Sequence, residues 1–318
     1  MGFYACLLLL VGLVQAGEPS KFLLVSAPRL GRVVYYQVNG GKQDGEPSML
    51  IDSGLKVPQG LAVDQKRGVL YVADVDSKKI FSYQLMFNNG QLMTDGQQKV
   101  AAQDVEARWV AVDGVGSIFF TDEKKNLVQK VSASSMLRGS TKPETLYSGE
   151  NVSTVSAPGG VAADNFFVYW TNKAAGTSVG SVISGYETPP DTGTAPSDRA
   201  IAMNTVKAYS VCLAQNNAFF TDAQRRVYGV RKTGGAIAVI SEQLQSPRGC
   251  VWDGDGTVYV ADKGAGKVFS FPGSMRTLTP QRMEEVLTFE DAFGLAVVSA
   301  VSAPGVIVAL AALLFSRQ

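Results

Sequence analysis

The chain has 318 residues, 46% hydrophobic and 18% charged, with 29 Lys and Arg against 28 Asp and Glu. A formal charge of +1 makes no electrostatic case for nucleic acid or for a strongly acidic partner. The absence of histidine removes the commonest general base, the commonest metal ligand and any Ser-His-Asp triad.

Residues 1–16 form an apolar run centred on 7–11 and ending Val14-Gln15-Ala16, which reads as a signal peptide cut after Ala16 although no basic leader precedes it. Cys6 leaves with it. Residues 22–26 then begin a strand, followed by strands at 32–38 and 48–52. A repeating unit comes next: two apolar alternating runs joined by a short polar turn, the pattern of paired antiparallel strands. It occurs at 60–64 with 70–74 (Gly-Leu-Ala-Val-Asp, then Leu-Tyr-Val-Ala-Asp) and at 109–113 with 118–122. It returns at 160–164 with 168–172, at 210–214 with 218–222, and at 249–253 with 258–262. Two further strands follow most pairs: 79–85 and 97–103 around the turn Asn88-Asn89-Gly90, then 127–132 and 145–148, 227–232 and 236–241, and 267–271 and 285–289. The third unit is expected to differ, because 185–199 holds Pro189-Pro190 and Pro196 and reads as a loop. Asn151-Val152-Ser153 is a glycosylation sequon on an expected surface loop.

The two ends complement each other. Residues 293–297 match the first strand of the unit with no second strand after it. Residues 22–26 match the second strand with no first strand before it. Joining them makes a sixth unit, as a closed ring requires if no sheet edge is to be exposed. Repeats of roughly 40 to 50 residues that close in this way predict an all-β, six-bladed β-propeller over residues 17–298, sealed by N-terminal strands pairing with the C-terminal one. Residues 299–318 form an apolar tail. No charge occurs from 295 to 315, but Pro304-Gly305 interrupt the run. A membrane anchor, a lipid-anchor signal using Ser299, Ala300, Ser302 and Ala303, and a tail packed on the propeller all stay open.

The motifs resemble known repeats. Gly-Leu-Ala-Val-Asp with Leu-Tyr-Val-Ala-Asp is similar to the NHL repeat. Val168-Tyr169-Trp170-Thr171-Asn172 is similar to the YWTD repeat of low-density-lipoprotein-receptor propellers, with Asn172 where Asp is usual, and residues 119–122 and 219–222 are close variants. The resemblance covers about residues 20–298 and implies a six-bladed propeller in which the first strand of each blade lines a central channel. It also implies that the turns before the first strand and after the second share one face. Related propellers include adhesion and receptor modules as well as lactonase-like enzymes. With three cysteines, the epidermal-growth-factor modules that flank receptor YWTD domains are not expected in this sequence, which argues against a lipoprotein-receptor role.

Cys212 and Cys250 remain after processing, on first strands of consecutive blades and in opposite parity. They face one inter-blade gap or point apart, so a disulfide and two free thiols are both open. Asp64, Asp113, Asp164 and Asp253 end first strands; Asp74, Asp122, Asp222 and Asp262 end second strands. Their recurrence favours acceptance of backbone N–H groups in the following turns over a ring of metal ligands. Tyr71, Phe119, Tyr169, Phe219 and Tyr259 are expected to pack between blades. Positions that break the repeat are better binding candidates. Gln59, Arg108, Gly159, Tyr209, Arg248 and Phe293 precede the first strands and should circle the channel mouth. Basic residues follow the second strands: Lys78, Lys79, Lys124, Lys125, Lys173, Arg225, Arg226 and Lys263. With Arg29 they suggest a face for an acidic or carboxylate-bearing extracellular partner, with Arg108 and Arg248 as anchors. The counter-reading is ordinary turn solubility, each base offset by a neighbouring Asp.

These observations lead to the expectation of a monomeric, membrane-attached extracellular binding propeller with no cofactor, no nucleic-acid partner and no catalytic chemistry. The alternative is a metal-dependent hydrolase resembling gluconolactonases, with a divalent cation such as calcium on carboxylate and Asn ligands in the channel. A purely structural surface protein is a third reading.

Overall fold

Each repeated pair folds into the inner half of a blade. A computed structural model describes residues 20–39, 42–173, 180–189 and 197–300. The expected signal peptide at 1–16, the tail beyond 300 and the centre of the proline-rich loop lie outside the described residues. Six antiparallel sheets form the ring, five of four strands and one of five, with strands following one another from the axis outwards. Blade one holds Pro58–Asp64, Val69–Asp74, Lys79–Asn88 and Lys99–Gln103. Blade two holds Ala107–Val112, Ile118–Asp122, Leu127–Val131 and Glu144–Ser148. Blade three holds Pro158–Ala163, Phe167–Asn172, Gly180–Tyr186 and Asp198–Thr205. Blade four holds Val211–Ala214, Asn217–Thr221, Val227–Arg231 and Ala238–Ser241. Blade five holds Pro247–Trp252, Thr257–Asp262, Lys267–Pro272 and Glu284–Thr288.

Blade six contains the seam. Leu295–Ser299 is its inner strand, Lys21–Ala27 its second, and Arg32–Asn39 and Lys42–Ile51 complete it. Lys21 pairs with Ser299, Leu23 with Val297 and Val25 with Leu295. Hydrogen bonds from Ser26 N to Gly294 O and from Phe293 N to Ser26 O, both 3.0 Å, extend the pairing. The expected closure is therefore the observed one, and the inner strand runs one residue past 298. Lys21 Nζ also meets Asp253 of blade five at 2.9 Å, tying the N-terminal strand to its other neighbour.

The core consists of six clusters, one in each gap between blades. Successive residues of a strand point to opposite faces, so one strand feeds two gaps. Leu70 and Val72 join Phe22 and Leu24 between blades six and one, whereas Tyr71 and Ala73 join Ile118 and Phe120 between blades one and two. Phe119, Tyr169, Phe219 and Tyr259 occupy the next gaps in turn. The second strands are covered on both sides, which is why they read as nearly unbroken apolar runs.

Two details depart from the expectation. Asn88-Asn89-Gly90 turns into an additional strand, Gln91–Thr94, which pairs with the far end of Lys79–Asn88 and extends blade one beyond its neighbours. Blade three is four-stranded: Gly185 and Tyr186 pair within the third strand and Asp198 and Arg199 within the fourth, so the loop is shorter than 185–199. The single α-helix among the described residues, Ala133–Leu137, is capped by Ser132, whose Oγ accepts from Ser135 N at 3.2 Å. No helix among the described residues is long and apolar enough to cross a membrane.

Candidate functional site: the channel and its mouth

The six inner strands surround a cavity of about 280 Å³. Leu61, Val63, Val110, Val161, Leu213 and Val297 supply its wall, with the Cys212–Cys250 disulfide joining blades four and five beside it (Cα–Cα 5.7 Å). Gln65 is the one amide in the lining, and its Nε2 donates to Val297 O. The lining contains no carboxylate, no Asn and no basic residue. Hard cations need oxygen ligands, and this wall offers none from a carboxylate. Among the described residues no group of three His, Cys, Asp or Glu stands close enough to hold a metal ion.

The repeated carboxylates are occupied elsewhere. Asp74 is fully buried and accepts from Lys56 N at 2.6 Å and from Val57 N and Ser77 N at 3.1 Å. One side chain thereby fixes both the turn entering its blade and the turn leaving the second strand. Asp262 accepts from four backbone N–H groups in the same way. Asp64, Asp113, Asp164 and Asp253 accept from the turns after the first strands. Asn172 keeps the role in blade three: its Oδ1 accepts from Ser156 N, and its Nδ2 donates to Thr154 O and Ser181 Oγ. Burial pushes the Asp222 carboxyl up despite N–H bonds from Arg226 and Gln224.

Gln59, Arg108, Gly159 and Arg248 are the second residues of their inner strands rather than the residues before them, whereas Tyr209 and Phe293 do precede theirs. All six stand at the end of the ring where the inner strands begin, in unequal roles. Gln59 is buried, and its Oε1 accepts from Arg108 Nη1 at 3.3 Å. Arg108 also lies 3.7 Å from Glu123. Phe293 is buried and stacks on Trp109 with centroids 5.3 Å apart and planes 26° apart. Blade one separates these two side chains around the ring, so the stack links blades six and two across it. Arg248 lies 4.5 Å over the Tyr209 ring, and its Nη1 donates to Pro247 O at 2.8 Å. It has no carboxylate partner among the described residues. Gly159 adds no side chain to the rim.

Most of the surrounding bases are neutralised. Lys78 and Lys124 share Glu106, at 3.8 and 2.7 Å. Lys173 joins Arg108 on Glu123. Arg226 meets Glu242 at 2.7 Å, and Lys263 meets Asp291 at 3.6 Å beside Arg29. Lys124 holds the Glu106 carboxyl below its usual range. Neutralisation of the bases fits the counter-reading from the sequence, but the partners are Glu106, Glu123 and Glu242 more than Asp. They stand in the links before or after the strands, beside another acid or within a polar turn. Asn151 sits exposed in a turn on this same face, ahead of blade three.

No protein-family model matches the chain, and no curated protein does. Solved structures match over most of its length. A chain of the nidogen/laminin complex has a TM-score of 0.68 at 18% identity, covering 87% of this chain and 98% of that one. A gluconolactonase from Xanthomonas campestris has a TM-score of 0.56 at 11% identity, covering 91% and 96%. A luciferin-regenerating enzyme has a TM-score of 0.53 at 13% identity, covering 74% and 77%. The fold is a six-bladed β-propeller. Since similar propellers both bind proteins and catalyse reactions, function must be argued from this molecule's own mouth and channel.

Proposed function

We propose that this chain is an extracellular binding propeller of the NHL and YWTD kind, engaging a partner protein at the Arg248 side of its mouth and performing no chemistry in its channel. The observation that carries the reading is a channel wall with no carboxylate, Asn or basic side chain, the repeated carboxylates instead accepting backbone N–H groups in turns. The likeness to a chain of a nidogen/laminin complex supports a role in protein assembly. Within the mouth, Arg248 is the stronger anchor. Its guanidinium lies over the Tyr209 ring with no carboxylate partner among the described residues, whereas Arg108 is already shared with Glu123. A carboxylate on the partner would complete the Arg248 fork. Attachment to a membrane through the segment beyond 300 belongs to the same proposal.

Binding to a partner identified by cross-linking on the cell surface tests it. Arg248→Ala should weaken that binding by about tenfold or more, as removal of an interface Arg anchor does. Arg108→Ala should have a smaller effect. Unchanged affinity in the double variant would overturn the mouth as the contact. Hydrolysis of a sugar lactone that follows the content of a bound divalent cation would install the hydrolase instead.

A further inference from the structure

The face opposite the mouth carries a second concavity, between blades four and five. It is formed by the turn of residues 215–217, the segment 231–233 after the third strand of blade four, and residues 275–276 after the third strand of blade five. Its volume is about 660 Å³. Arg231, Lys232 and Arg276 line it, and no carboxylate does. Lys232 is partly compensated by Asp164 at 3.2 Å, while neither arginine has an acidic partner among the described residues.

The Arg231 guanidinium is pre-positioned. Its Nη1 donates to Asn217 Oδ1 at 2.5 Å and to Met275 O at 3.5 Å, and its Nη2 donates to Arg276 O. Asn217 is itself 1% exposed and is anchored by a 2.9 Å bond from its Nδ2 to Met275 O. A guanidinium has five N–H donors, so at least two remain for a ligand. Beside it, the Asn216 and Thr233 side chains make no hydrogen bond with described residues, and Met275 adds an apolar surface. No aromatic side chain lines the pocket, so it offers a nucleotide base no stacking partner.

Oriented cations recognise a carboxylate or sulfate oxygen pair. Amide and hydroxyl groups next to an apolar patch suit the hydroxyls and C–H face of a sugar ring. From this combination we propose that the pocket between blades four and five binds an acidic saccharide, a uronic or sulfated sugar. The ligand is either a free sugar or a unit of a glycan chain. This site is independent of the mouth.

Calorimetric titration of the full chain tests the proposal with four probes: glucuronate, a sulfated uronate-containing hexasaccharide, a neutral hexasaccharide and inorganic sulfate. Saturable binding of an acidic saccharide, with the neutral one inert, is expected; glucuronate alone sufficing marks a single-sugar site, and a requirement for the hexasaccharide marks a chain. The exposed change Arg276→Glu should weaken binding by about tenfold or more, and Arg231→Lys, which keeps the charge and loses the fork, should weaken it as well. Arg248→Ala should leave it unchanged, which separates a failure here from a failure at the mouth. No binding of either acidic saccharide, equal binding by Arg276→Glu, or inorganic sulfate matching the saccharides would each overturn the proposal.

Discussion

At the scale of single residues, Glu187 differs from the repeated Asp side chains in having no turn of backbone N–H groups around its carboxyl. The repeated Asp side chains sit in nests of backbone N–H groups, as their recurrence in the sequence implied. Glu187 follows the third strand of blade three, and its Oε1 is buried with no hydrogen-bond partner among the described residues. It shares that state with Oδ2 of Asp122 and of Asp222, but unlike them its carboxyl accepts no backbone N–H from the described residues. Burial, reinforced by the nearby Asp113, pushes its carboxyl up to about 7, against the opposing pull of Lys130. A carboxyl raised in the folded state binds its proton more tightly there than in the unfolded chain. Its environment therefore favours folding below the unfolded value near 4.5, and that advantage is lost as pH rises to about 7. The full shift would be worth about 3 kcal/mol, but the side chain is only half-buried, so on the order of 1 kcal/mol is expected. Glu187→Gln should accordingly raise stability at pH 8 and change it little at pH 5, as measured by denaturant unfolding at both. An equal change at the two pH values would show that burial does not set this group's titration. No sequence signal marks Glu187, because the unpaired environment arises from the neighbouring blades and not from its own turn.

At the scale of the element, the leading glycine of the repeat has a reason that periodicity does not reveal. A Cβ on Gly60 would lie 2.7 Å from Trp109 Cα, on Gly160 2.5 Å from Ser210 Cα, and on Gly294 1.9 Å from Gln59 O. In blades one, three, five and six the inner strand starts where the next blade's backbone touches it, so the glycine there provides space and not a special backbone angle. Gly294 is the sharpest case because it lies at the seam. There Ser26 Oγ accepts from Gly294 N at 2.8 Å and donates to Gln59 O at 2.5 Å, joining blades six and one. Gly294→Ala must push these backbones apart. A cost of about 3 kcal/mol or more is expected, seen as a fall in Tm of at least about 6 °C. Gly256→Ala, where a Cβ meets nothing within 4 Å, should be close to neutral. Equal Tm values for the two variants would refute the close-approach account. The strand pairs themselves were legible because alternation and turn residues are local. The extension of blade one was not, since Leu92 finds its buried place only against the neighbouring blade.

At the scale of the whole molecule, ring closure decides how the faces are presented. The complementary half-repeats at the two ends announced the closure. The stack of Phe293 on Trp109 stayed hidden, because it joins blades that are not neighbours. Ala300 N donates to Ser20 O at 2.8 Å, so both ends of the described chain leave the ring side by side. They leave at the face of the turns between first and second strands. Gln59, Arg108 and Arg248 lie at the other face. A propeller held to a membrane through the segment beyond 300 would therefore turn its mouth outward and its saccharide-type pocket toward the lipid side. Two exposed positions of blade one report this polarity: Asp76, after the second strand on the mouth face, and Lys66, in the turn on the terminal face. With Asp76→Cys and Lys66→Cys displayed on intact cells, a bulky impermeant maleimide should label the first faster, by about tenfold if lipid contact excludes the reagent from the second. Release of the protein from the membrane should bring the two rates together. Equal rates before release would mean that attachment, if it exists, does not orient the ring, and the mouth would lose its claim to be the presented face.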